Sequence, residues 1–254
     1  MAVLELEAVT KRFGALAAID DVSFSVEPGE RVALIGPNGA GKTTLFNLIS
    51  GEIPPDSGAV RLDGRDVTRY PPEKMAGAGL GRTFQRNSLF LESTVCENVR
   101  LAVQAKMSIR FQMLRSVERY PELLSATGEV LERVRLADRS RDLASQLSYG
   151  EQRQLELGLA LATAPKVLLL DEPTAGMSAK ETTEMVEMLR ALPQDMTLLI
   201  VEHDMEVVTA LARRIIVLNF GRVIADGTPD EVRRNEEVLA AYLGAELDEE
   251  TSNA

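Results

Sequence analysis

The run Gly36-Pro37-Asn38-Gly39-Ala40-Gly41-Lys42-Thr43-Thr44 carries the residue types that grip a polyphosphate. Glycines let the backbone wrap close to phosphate oxygens with successive N–H groups turned inward, and a helix opening at the end of the run adds a favourable dipole. Lys42 has the reach for the β and γ phosphates, and the Thr43 hydroxyl suits Mg²⁺. Two carboxylates, Asp171 and Glu172, close the apolar run Val167-Leu168-Leu169-Leu170. The first can hold Mg²⁺ through water, and the second can act as general base or orient the water that attacks a γ-phosphate. Read alone, the pair also fits a turn ahead of Pro173. His203, the one histidine, stands at the tip of a second apolar run, Leu198-Leu199-Ile200-Val201-Glu202, which favours a γ-phosphate contact.

These groups need strands and helices to bring them together. After the turn Pro28-Gly29-Glu30, Arg31 to Ile35 is a nearly continuous apolar run of strand length, as a strand buried on both faces requires. From Lys42 to Ser50, Leu45, Leu48 and Ile49 recur at helical spacing before Pro54 to Gly58 break the chain. The order is therefore strand, glycine loop, helix. Val167 to Leu170 and Thr197 to Val201 are two further short strands. Their linking helix opens on the capping box Ser178-Ala179-Lys180-Glu181 and buries Met185, Met188, Leu189 and Leu192, a βαβ crossover that makes the two strands parallel. Alternation in Val3 to Val9 and Val22 to Val26 predicts antiparallel strands around a Gly14 connection. The stretch 86–158 is rich in Arg, Glu and Leu, with Val130, Val134 and Ala137 at helical spacing, and reads as an inserted helical subdomain. Thr228-Pro229-Asp230-Glu231 opens a last helix, and the acidic residues 246–254 are expected to fray.

Composition narrows the functions. Of 254 residues, 28 are Lys or Arg against 39 Asp or Glu, a formal net charge of −11, which excludes a broad grip on nucleic-acid backbones or anionic lipid. No run of about 18 apolar residues exists, so neither a bilayer span nor a secretory signal is expected and the chain is placed in the cytosol. Cys96 has no basic neighbour and reads as packing; one Cys cannot form an internal disulfide, and one His cannot build a His-rich metal site.

Leu147-Ser148-Tyr149-Gly150-Glu151-Gln152, standing upstream of Asp171, resembles the signature motif of ABC-type ATPases, and the resemblance covers nearly the whole chain. It implies an α/β P-loop NTPase core (residues 1–85 and 159–235) with an antiparallel β subdomain, an inserted helical subdomain (86–158), and a C-terminal helix and tail (236–254), together one ABC ATPase domain. Gln85, in Gly81-Arg82-Thr83-Phe84-Gln85, matches the family's Q-loop glutamine, a ligand near Mg²⁺, and His203 matches its switch histidine. Phe13 stands where the family stacks an aromatic on adenine, and is otherwise a core or exposed Phe. The implied assembly is a head-to-tail dimer with two ATP molecules between subunits, Ser148 and Gly150 of one facing the phosphate loop, Asp171, Glu172 and His203 of the other. Two departures stand out: Tyr149 and Glu151 replace the usual Gly and Gln, and Thr174-Ala175-Gly176-Met177-Ser178 replaces a segment that often reads Ser-Ala-Leu-Asp. That segment, with Glu202-His203-Asp204-Met205 and Ala241-Tyr242-Leu243-Gly244, is similar to the branched-chain amino acid importer subgroup. Urea or amide importers, the lipopolysaccharide-exporter ATPase and soluble ABC-type ATPases are the alternatives. Implied partners are transmembrane permease subunits, which would hold the chain peripherally on the inner face of the cell membrane, a second ATPase subunit, identical or paralogous, and indirectly a solute-binding protein. Leu89, Phe90 and Leu91 are either exposed anchors for the permease or ordinary core.

Overall fold

A computed structural model describes residues 1–83, 89–107 and 119–242. Two sheets share one helix between them. The first is antiparallel, in the order β2-β1-β4-β5, from β1 (Leu4–Phe13), β2 (Leu16–Val26), β4 (Ser57–Leu62) and β5 (Arg65–Asp66). The second runs β10-β9-β3-β8-β7-β6, from β3 (Arg31–Ile35), β6 (Leu80–Arg82), β7 (Val167–Asp171), β8 (Thr197–Val201), β9 (Arg214–Asn219) and β10 (Arg222–Gly227). All its pairings are parallel except β9 with β10. The expected βαβ crossover is present: β7 and β8 pair in parallel, joined through α6 (Ala179–Arg190).

Alternation explains why the central strands lack a polar face. Val167 and Leu169 point to α1 (Lys42–Ile49) and the antiparallel sheet, in one core with Leu45, Phe46 and Ile49. Leu168 and Leu170 point the other way, into a core with α5 (Tyr149–Ala162) and α6. Both faces are thereby removed from water, which a polar residue at any of these positions would oppose by roughly 1–3 kcal/mol. On that second side lie α3 (Val95–Lys106) and α4 (Pro121–Arg133), so the described part of the expected insert is helical. The limit at residue 158 falls inside α5, which belongs to the insert at its start and to the sheet's core at its end. Val130 and Val134 are buried as expected, but Ala137 is exposed. Helix α4 stops at Arg133 and Arg135 adopts φ 58°, which breaks the periodicity and turns Leu136 inward instead. A short helix α2 (Pro72–Ala78) leads into β6, α7 (Met205–Leu211) follows β8, and α8 (Pro229–Arg233) follows β10. The chain is helical again at 236–242; the tail at 246–254 lies outside the described residues.

Four helices, α3, α5, α6 and α8, start on capping boxes from Thr94, Ser148, Ser178 and Thr228. Hydrogen bonds from the capping residues hold the carboxyls of Glu97, Glu181 and Glu231 below the usual range. A carboxyl whose pKa is lower folded than unfolded adds stability at pH above its unfolded value and loses it as pH falls through the folded one. The melting temperature, followed by circular dichroism, should therefore fall on acidification below about pH 5, and less steeply in Thr228→Ala, which lacks one box.

Candidate active site

The loop between β3 and α1 is shaped by three glycines with positive φ: Gly36 at 153°, Gly39 at 76° and Gly41 at 104°. At Gly36 a Cβ would lie 2.1 Å from the Leu218 carbonyl oxygen, and at Gly41 2.5 Å from that of Ala18, whereas at Gly39 it would meet open space. Gly39→Ala should cost only the left-handed strain, about 1–2 kcal/mol. Gly36→Ala must in addition displace β9 from the loop, and its denaturation midpoint in urea should fall well below that of Gly39→Ala.

Helix α1 is capped by Gly41, without a side-chain cap and without an acidic residue in its first turn. Its positive end and first N–H groups thus face the loop with no protein carboxylate on them, unlike the four boxed helices, and this is the arrangement that receives an anion. Lys42 Nζ donates to the carbonyls of Gly36 (2.6 Å) and Pro37 (2.9 Å), holding the ammonium against the loop. Burial lowers its pKa, and the charges of Glu172 and Asp171 act in the opposite sense.

Both acids stand where the apolar run placed them, at the end of β7. Since β8 lies between β3 and β7, and all three are parallel, the glycine loop, His203 after β8, and Asp171-Glu172 share one edge of the sheet. Glu172 adopts φ 46°, donates its N–H to Val201 O (2.9 Å), and lines a cleft of about 440 Å³ together with Phe13, Asn38, Lys42, Thr43 and Thr44. A left-handed glutamate costs about 1–2 kcal/mol, and that strain sits on the residue expected to act on water. Asp171 has a side chain only 1% exposed; its Oδ2 accepts from Arg82 Nη2 at 3.1 Å while Oδ1, also buried, has no hydrogen-bond partner among the described residues. An orphaned, buried carboxylate oxygen suits a hard divalent cation. Among the described residues no cluster of three acids, histidines or cysteines forms a complete cage, so most ligands of such an ion would be phosphate and water oxygens. Gln85 lies outside the described residues.

The remaining site residues are placed unevenly. Phe13 lies at the cleft, 52% exposed. His203 is at the right edge but outside the cleft lining, with its side chain 67% exposed and Nδ1 3.8 Å from Glu202 Oε2. Ser148 and Gly150, at the start of α5, do not reach this cleft. Ser148 Oγ caps Glu151 N, and the Gly150 N–H bonds the Glu181 carboxylate. Tyr149, one of the departures from the signature, donates its hydroxyl hydrogen to Ala175 O (3.1 Å) and accepts from Arg153 (2.9 Å), so it joins α5 to the other departing segment.

Several supporting residues go unsignalled in the sequence. Arg82 donates to Asn47 Oδ1 (2.8 Å), Ser50 Oγ (2.7 Å) and Asp171, tying the far end of α1 to the acid across 89 positions. Glu202, fully buried, accepts from Thr174 N and Oγ1 and from His203 N. An acid closing an apolar run, directly before the one histidine, is the signal that could have found it.

Residues 19–175 match the ABC transporter family, and 222–248 match the C-terminal region of branched-chain amino acid ATP-binding cassette transporters. The chain is 39% identical over 251 residues to the high-affinity branched-chain amino acid transport ATP-binding protein BraF of Pseudomonas aeruginosa, covering 95% of this chain and 98% of that one. It is equally similar, at 39% over 251 residues, to the corresponding protein LivG of Escherichia coli. Among solved structures, a nucleotide-free ATP-binding cassette from an ABC transporter aligns at 30% identity with a TM-score of 0.82, over 95% of this chain and 99% of that one.

Proposed function

The chain belongs to the ABC transporter ATP-binding family, and on that premise we propose that it is the ATP-hydrolysing subunit of an importer for branched-chain amino acids. The observation that carries the ATPase reading is the uncapped α1 terminus set on the same sheet edge as Asp171 and the strained Glu172. Loop N–H groups and Lys42 bind the β and γ phosphates, and Phe13 stacks on the base. Thr43, Asp171 and Gln85 are the residues that would hold Mg²⁺, which would supply charge neutralisation to the phosphates. Glu172 orients the attacking water and accepts its proton as the bond to the leaving ADP oxygen breaks, and His203 swings its exposed ring to the γ-phosphate. Because Ser148 and Gly150 lie away from their own cleft, they serve the nucleotide of a second subunit, identical or paralogous.

The substrate class rests on the names of the relatives and on the C-terminal match. Among the described residues no helix is long and apolar enough to cross a membrane, and the transport step is assigned to a transmembrane permease, fed by a solute-binding protein, that holds this chain on the inner face of the membrane. Of the three anchor candidates Leu89 is core, Leu91 is half-buried, and Phe90 is 60% exposed with its backbone pinned at both N–H and C=O by the buried Asn98. Phe90→Asp should reduce co-purification with the permease from detergent extracts while leaving ATP hydrolysis by the isolated subunit unchanged. Reconstituting the captured complex in vesicles tests the whole reading: leucine-stimulated ATP hydrolysis supports it, and a complex stimulated only by urea, amides or lipid overturns the substrate.

A further inference from the structure

We propose that Phe220 forms a second apolar wall for the nucleobase, opposite in chain origin to Phe13, and thereby sets how tightly the site holds the base rather than the phosphates. The inference rests on the reading of the cleft as a nucleoside triphosphate site. Asn219 pairs with Arg222, so Phe220 and Gly221 form a two-residue hairpin loop, and both have positive φ, 44° and 76°. Such a turn favours Asn-Gly, and a bulky aromatic ring in the left-handed region is unusual and costly. The turn has little freedom to relax. Gly221 N donates to Ala40 O in the phosphate loop (2.9 Å), Asp20 N donates to Gly221 O (2.9 Å), and Arg222 pairs with Asp20. A Cβ on Gly221 would lie 2.7 Å from Ala18 O.

This braced turn holds its phenyl ring in solvent, 81% exposed, at the cleft that Phe13, Leu16 and the phosphate loop also line. A costly backbone conformation that holds an apolar ring at the rim of a ligand cleft points to a role for the ring in binding. With the triphosphate end fixed by the loop backbone and Lys42, the flat, weakly polar face of a base is the part of the ligand that an aromatic rim can cover.

Isothermal titration of the full chain with Mg-ATP and with Mg-tripolyphosphate, which has the phosphates and no base, separates the two grips. Phe220→Asn suits the turn and keeps the fold; it should weaken ATP about 3- to 10-fold and leave tripolyphosphate unchanged. Phe220→Ala should do the same. Unchanged ATP affinity in both variants overturns the proposal, whether or not ATP-dependent self-association weakens, which would assign the ring to a subunit contact. Equal loss of both ligands also overturns it, showing a distorted loop. A native chain that binds neither ligand overturns the reading of the cleft as well.

Discussion

Glu172→Gln should lower the steady-state rate of ATP hydrolysis by about 10²–10⁴-fold with little change in Mg-ATP affinity. The amide has the size of the carboxylate and can keep the left-handed backbone at φ 46°, whose N–H bond to Val201 does not involve the side chain. What it cannot do is accept a proton from water. Asp171, the phosphate loop and Arg82 are untouched, so binding survives while turnover stops, and an ATP-loaded dimer should accumulate on size-exclusion chromatography with light scattering. Undiminished phosphate release would remove Glu172 from the reaction.

Lys42→Ala acts at the opposite stage. Its ammonium is partly desolvated and held on two loop carbonyls, so it is already aimed along the loop, and a charge-assisted bond to phosphate is worth about 1.5–3 kcal/mol. Calorimetry should show ATP affinity reduced by about 10- to 150-fold, and the rise in melting temperature that saturating Mg-ATP gives the native chain should nearly vanish. Retained affinity would show that backbone N–H groups suffice and that the lysine acts only on the transition state.

The parts of the site readable from sequence are those in which local chemistry and tertiary position coincide. Val167 to Leu170 is apolar because both faces are buried, and the acids follow where the strand leaves the core. Ser178 and Thr228 announce their helices because a capping box is a contact within four residues. Between 57 and 82 the signals fail. Strand β5 has two residues and β6 three, too short for periodicity; β5 is the short arm of a hairpin with β4, while β6 owes its conformation to a distant partner, β7, with Gly81 close against Pro165. Arg82 is invisible for the same reason: its meaning is its bond to an acid 89 residues away. Phe220 is hidden differently, since turn propensities would have put Asn there.

The phenol of Tyr149 carries one last consequence. One end of that bridge is the first residue of α5, and the other is a backbone carbonyl three residues beyond Glu172, with Arg153 from the next helical turn closing the joint. A ring rooted covalently in α5 and hydrogen-bonded to a main-chain carbonyl at its tip couples the two more directly than a contact between two side chains would. Tilting α5 therefore drags the segment after β7 with it, and the subunit behaves at this point as a crank rather than as two bodies on a slack tether.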